Sequence, residues 1–342
     1  MQRVAAIVLC GVFGLVGSRA SAQSFDLAGT RAKGMAGAFV AVADDGTATW
    51  WNPAGISNTL IFDGVADFRQ DGFTNGQPTP TVNETPGSRT SQIGAAVAVP
   101  PLGFSYYRIR QTGVEPATAE GVPGRQDPAK APLARSLLTQ QFGVTLAQSL
   151  GDYVVVGATL RVVHGTVGTA VAAFDDPDPG LDAASEAAGP SATKGDVDLG
   201  VLARAGRVRL GFAARNLTAP TFHAADGAGW QVSRLARIGV AVVSEAERAG
   251  RQGWTVSADA DLAADVTPFG RRRDVAAGVE RWFTRRVGIR GGVSASTIDA
   301  ARPAASFGGS VAVSTGVFVE GQATAGSDRA PRGWGLSLHV QY

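Results

Sequence analysis

The chain has one cysteine, Cys10, and three histidines. Cys10 lies in an N-terminal apolar run that reads as a removable leader. Neither a disulfide nor a cysteine-based zinc or redox site is then open to the remainder. His164, His223 and His339 are dispersed and no H-E-x-x-H pattern occurs, so spacing offers no zinc site. There is no G-x-S-x-G elbow, and the lack of any Gly-Lys pair removes a Walker A loop. No catalytic residue, metal or cofactor is expected, and the chain is read as a non-enzyme. Lysine is confined to Lys33, Lys130 and Lys194. Residues 1–22 hold two arginines and no acid; without them the 31 basic and 29 acidic side chains of the chain become 29 of each. No basic excess argues for nucleic acid.

Long hydrophobic runs are also missing. Arg3 precedes an apolar run from Val4 to Val16, and Ala20-Ser21-Ala22 forms a small-x-small cleavage site. This predicts a signal peptide over 1–22 and a mature start near Gln23. The run is about 13 residues, against about 20 needed to span a bilayer. No later run approaches that length, although 44% of residues are hydrophobic. Such a chain fits a soluble all-β or α/β protein, or a membrane β-barrel that dilutes its apolar residues by alternation.

Alternation is present. Trp254, Val256, Ala258, Ala260 and Leu262 share one parity; Thr255, Ser257, Asp259 and Asp261 share the other. Val208, Leu210, Phe212 and Ala214 alternate with Arg209, Gly211, Ala213 and Arg215, and Val197, Leu199, Val201 and Ala203 with Asp196, Asp198, Gly200 and Leu202. Period two gives an apolar and a polar face. About fourteen strands of this kind are predicted, a length and spacing suited to tilted membrane strands. They cover 60–70, 89–99, 102–111, 135–149, 153–166, 191–205, 208–217, 231–243, 253–262, 272–283, 287–297, 305–314, 317–326 and 333–342.

The connections separate a barrel from a sandwich. Those at 71–88, 112–134, 167–190, 218–230 and 263–271 are long and polar. Pro100-Pro101, Leu150-Gly151-Asp152, Gly206-Arg207, Thr284-Arg285-Arg286 and Thr315-Gly316 are short. The rule weakens in the second half, where 298–304 and 327–332 shrink and 244–252 is an exception. Short turns inside and long loops outside are the habit of outer-membrane barrels. Trp334, Leu336, Leu338, Val340 and Tyr342 alternate to the last residue, as in a terminal strand read by the barrel assembly machinery. Aromatics are few, so interfacial girdles should be thin; Phe62, Phe104, Tyr106, Trp230, Trp254, Trp282, Phe283 and Trp334 are the candidates. The acidic stretch Asp175–Asp182 lacks the carboxylate ladder of a calcium loop and reads as a solvated loop.

The stretch G-x-x-G-A-F-V-A-V-A-D-D, from Gly34 and Gly37 to Asp44 and Asp45, followed by Trp51-Asn52-Pro53-Ala54-Gly55, is too rich in glycine and alanine for an ordinary strand. It closely resembles the N-terminal plug of FadL-type outer-membrane proteins, a superfamily that includes TodX-type hydrocarbon channels and PorV/PorQ-type barrels. The resemblance implies a transmembrane antiparallel β-barrel over 59–342 with residues 23–58 as plug inside it. It implies location in the outer membrane among its lipids, and passive uptake of a hydrophobic ligand such as a fatty acid or hydrocarbon, with a plug shift and a gap in the wall. A PorV/PorQ-type accessory barrel that holds a secretion partner protein is the alternative. The glycines would allow close approach, Asn52-Pro53 a capped turn, and Asp44 and Asp45 would pair with lumen arginines. Arg161, Arg204, Arg209 and Arg215 lie on polar faces and are candidates. Asp259, Asp261, Glu280 and Glu320 read as lumen polarity paired with inward arginines.

Overall fold

The computed structural model describes residues 25, 27–74, 85–115, 132–173, 176–244, 253–267, 270–299, 301–327 and 332–342. Fourteen antiparallel strands close into one barrel. They are β1 Asp63–Thr74, β2 Gly87–Val99, β3 Leu102–Val114, β4 Leu133–Leu150, β5 Val154–Val171, β6 Ser191–Ala205, β7 Val208–Arg215, β10 Leu235–Val243, β11 Trp254–Asp261, β14 Asp274–Trp282, β15 Val287–Ser296, β16 Ala304–Ser314, β17 Val317–Gly326 and β18 Arg332–Gln341. Each pairs with its chain neighbours, and β1 closes on β18 with Asp63 opposite Gln341. Two small hairpins stand apart: β8 Thr221–His223 with β9 Gly229–Gln231, and β12 Asp265–Thr267 with β13 Gly270–Arg272.

The strands form where alternation is strict. Ile93, Phe142, Leu160, Leu210, Val256, Phe307 and Leu338 are exposed, whereas their chain neighbours are mostly buried. The barrel is thus inverted relative to a soluble protein: its apolar belt faces out and its polar residues face in, the arrangement a lipid surround requires. Phe62, Phe104, Tyr106, Trp254, Phe283 and Trp334 lie on this outer surface.

Five sequence expectations change. Trp282 is not a girdle residue: it has the inward parity of Glu280 and packs on buried Phe318 at 5.7 Å. Nor is Trp230. It is 1% exposed and packs with Phe222 and Val163, because the β8–β9 hairpin folds over the inner wall of β5. The strand expected over 231–243 is accordingly split, with Gln231 in the hairpin and the wall strand starting at Leu235. The strand expected over 208–217 ends at Arg215, since Asn216 turns the chain at φ 57° and its amide donates to the Ser233 carbonyl at 2.7 Å. Finally, the acidic stretch expected to be a solvated loop is a helix over Asp178–Glu186. Pro177 precedes it, and Leu181 and Ala184 bury against Val114, Ala134 and Ala172. Asp175 lies outside the described residues, as do 116–131 of the long connection expected at 112–134 and 245–252 of the longer turn expected at 244–252.

Candidate functional site

Residues 27–56 lie inside the barrel and are buried except Asp44. Three short helical turns carry them: α1 Thr30–Gly34, α2 Ala48–Trp51 and a 3-10 turn Pro53–Asn58. Such short helices do not persist on their own, so tertiary contacts must hold them. Asn52 caps the 3-10 turn, its side-chain Oδ1 accepting from the Ala54 N–H at 3.2 Å, with Pro53 at the first helical position. Trp50 Nε1 donates to the Phe25 carbonyl and Trp51 Nε1 to the Ala28 carbonyl, each at 2.9 Å. These bonds tie the two ends of the segment together. Phe25 and Phe39 flank the Trp51 ring at 5.7 and 5.9 Å.

The wall makes room for this segment by presenting bare backbone. Gly157 and Gly200 stand opposite each other on β5 and β6. A Cβ on Gly157 would fall 2.4 Å from the Ala54 nitrogen, and one on Gly200 would fall 2.1 Å from Asn52 Oδ1. Gly278 and Gly292 are likewise opposed on β14 and β15, and a Cβ on either would lie 2.7 or 2.6 Å from the Met35 carbonyl oxygen. The wall therefore carries two notches shaped to the segment's main chain. Gly55 of the motif serves the same end within the segment, with the Ala43 carbonyl 2.1 Å from its would-be Cβ.

Wall side chains also satisfy the segment's backbone. One carboxylate oxygen of Asp259 accepts from the N–H groups of both Phe39 and Val40 at 2.8 Å. Asp67 accepts from the Gly29 N–H at 2.8 Å and Asp63 from that of Gly46 at 2.7 Å. Ser257 Oγ donates to the Ala38 carbonyl at 2.6 Å, and Asn52 Nδ2 bridges the carbonyls of Val40 and wall residue Val201. In a segment with so little regular structure, such bonds avoid the cost of orphaned buried amides.

Arg31 links the segment to the charged wall. Its guanidinium donates to Glu280 at 2.6 Å, to Asp44 at 2.6 Å and to Asp45 at 3.1 Å. Burial works against the Arg31 charge, but Glu280 and Asp44 outweigh it and hold its pKa well above the ordinary arginine range. Burial would raise the Asp44 pKa, yet the charges of Arg31 and Arg209 hold it below the usual carboxylate value. Asp45 moves the other way, raised by burial and by Asp63 against the pull of Arg31.

Of the four candidate arginines, Arg209 reaches Asp44 at 3.2 Å. Arg161 and Arg215 do not meet Asp44 or Asp45. They pair with Asp196 and Asp198 on β6, and Arg215 stacks 3.5 Å over the Trp50 ring. Arg204 is half-buried opposite Arg209. Asp261 pairs with Arg237, while Glu280 and Glu320 share Arg290. Gly34 packs on the Arg290 side chain, and Gly37 sits at φ 86°. Sequence reasoning missed Arg31, Arg237 and Arg290. The latter two were legible by parity, being inward on alternating strands; Arg31 stood just ahead of the motif.

From β14 to β1 the inward residues include the charged set Glu280, Arg290, Glu320, His339 and Asp63, with His339 Nε2 3.0 Å from Asp63, beside the apolar Phe318 and Val65. On β3–β5 the inner wall carries two separate apolar clusters, with Thr139 and Gln141 buried between them. Tyr107 and Ile109 lie beside Trp50, and nearer the long-connection end Leu137, Val163 and Val167 pack with Phe222, Trp230 and Val232.

Solved structures share this architecture. The CymD monoaromatic hydrocarbon channel superposes with a TM-score of 0.58 at 12% identity, covering 93% of this chain and 99% of that one. The Ralstonia pickettii toluene transporter TbuX gives 0.59 at 11% identity over 93% and 100% of the two chains. A Pseudomonas aeruginosa FadL homologue gives 0.55 at 14% identity over 92% and 97%. The fold is therefore the one these barrels share. A family model described as the F plasmid transfer operon TraF protein matches residues 131–261, a minority of the chain. No curated protein matches it.

Proposed function

We propose that the protein is an outer-membrane channel for small hydrophobic molecules, exported by its N-terminal leader, with residues 27–56 as the plug of its lumen. The observation that carries this reading is a fourteen-stranded barrel whose lumen holds the buried segment 27–56, with an apolar cluster of Leu137, Val163, Val167, Phe222, Trp230 and Val232 on its long-connection side. A hydrophobic solute can partition into such a cluster by passive diffusion, since apolar surface lowers the cost of leaving water. The likeness in fold to hydrocarbon channels supports the ligand class. The plug then closes the lumen to water-soluble compounds.

The experiment is uptake of a radiolabelled monoaromatic hydrocarbon and of a long-chain fatty acid into cells producing the wild type or Val163→Asp. A charge in this cluster should reduce uptake several-fold while leaving the barrel folded, as read by heat-modifiable migration. Equal uptake by both would defeat the reading.

A further inference from the structure

The outer surface carries a feature that transport does not use. Arg108 and Arg110 lie on β3 with the parity of Phe104 and Tyr106, and so project from the barrel and not into it. Two residues apart on one strand face, they stand about 7 Å from each other. Arg108 lies opposite Ile93 on β2 and Gln140 on β4. Gln140 lies opposite His164, and His164 opposite Thr193. A polar row thus crosses four strands of the outer face.

The next row below is the apolar belt, with Phe142 53% and Val162 54% exposed beside Tyr106. Above the row, the Asp178–Glu186 helix (α3) packs on the outer face of the β2–β5 tips. Its Asp178 and Asp182 pair with Arg89, and the Ser185 carbonyl accepts from Arg110. Belt, polar row and helix together form an outward notch. Among the described residues no carboxylate pairs with Arg108. Gln140 accepts from the Tyr106 hydroxyl at 3.3 Å through its carbonyl oxygen, which leaves its NH₂ as a donor.

We propose that this notch binds the phosphorylated sugar headgroup of a glycolipid in the outer leaflet, with phosphate on Arg108 and Arg110 and acyl chains along Tyr106, Phe142 and Val162. The inference rests on the outer-membrane reading above. Arginine suits the task because its planar fork meets phosphate oxygens two at a time. Glu186 offsets part of the charge on Arg110; the excess positive charge left at the upper edge of the apolar belt is relieved by an anion that also carries hydrocarbon. A soluble anion would satisfy only the upper half of the notch.

The test is titration of the full chain in detergent micelles with bisphosphorylated lipid A, followed by native mass spectrometry. Phosphatidylglycerol and inorganic phosphate serve as competitors. Arg108→Gln should weaken lipid A binding about tenfold, the loss of one charge-assisted contact, and Arg108→Lys should fall between. Arg281→Gln removes an exposed outward arginine near the opposite rim and should change nothing. Equal binding by wild type and Arg108→Gln, or equal loss in Arg281→Gln, overturns the proposal. Displacement of lipid A by millimolar inorganic phosphate, or equal binding of phosphatidylglycerol, overturns the glycolipid as ligand. Cell fractionation decides the outer-membrane reading separately, because the micelle titration does not depend on where the protein resides.

Discussion

The notches in the wall allow a direct test of whether the inner segment is seated by shape. Gly200→Ala would place a Cβ 2.1 Å from Asn52 Oδ1, 2.8 Å from Pro53 Cδ and 2.9 Å from the Pro53 nitrogen. Ordinary contact begins near 3.4 Å, so the Asn52-Pro53 turn must retreat by about 1 Å, and overpacking of this kind costs about 1–3 kcal/mol. Asn52 cannot retreat alone, because it also holds the carbonyls of Val40 and Val201; each buried bond broken adds about 1–3 kcal/mol. The β5–β6 ladder is untouched, since both glycines keep their backbone pairing. The outcome should be a folded barrel with a loosened segment. Arg31 and Lys33 are buried in the seated state, so trypsin reports the change: cleavage after either residue should rise at least tenfold in Gly200→Ala, with leak of small solutes from proteoliposomes. Gly157→Ala should act alike and the double variant less than additively, because both displace the same turn. Gly195→Ala, where a Cβ meets nothing within 4 Å, is the control. Unchanged trypsin protection in a folded Gly200→Ala barrel would refute the argument.

Three further outcomes are expected. Arg31→Ala leaves Glu280, Asp44 and Asp45 without their shared partner and should weaken seating of the segment by about 3–5 kcal/mol, the usual penalty for breaking a buried ion pair; differential trypsin cleavage after Lys33 checks it. Acid should release the segment as well: the Asp44 pKa is lower in the folded state, so its contribution is present above its unfolded value near 4 and fades as pH falls through the folded one. Trypsin is inactive there, and hydrogen exchange at residues 39–47 is the readout. Asp265, outside the barrel strands, has the opposite sign. Burial pushes its pKa up to about 8, despite the hydrogen bond from Ser233. Its stabilising contribution is therefore full below about 4 and lost as pH rises through about 8. Hydrogen exchange at 262–267 should accelerate between about pH 4 and about pH 8 and level off above, after correction for intrinsic rates, and Asp265→Asn should remove the extra rise.

Much of the wall was legible because a membrane strand states its two faces residue by residue. Fourteen alternating segments, with short and long connections in turn, needed no knowledge of partners. Errors arose where burial came from something other than the wall. Trp230 reads as an interfacial aromatic until the β8–β9 hairpin folds it onto Val163. Asp178 and Asp182 read as solvated acids until the tips of β2–β5 offer Arg89 and a bed for Leu181.

The sequence by itself determined the barrel, its strand number and the singular character of residues 28–56, because period-two patterning and a glycine-rich motif are local properties. Tertiary structure decided which charges meet. Arg161 and Arg215 share a face parity with Arg209, yet only Arg209 reaches Asp44, while the other two turn to Asp196 and Asp198. It also decided that Gly157 meets Gly200, and Gly278 meets Gly292, to leave backbone-wide notches. Parity along a strand says which way a side chain points. Only the register between strands and the path of the segment across the lumen say what it finds there.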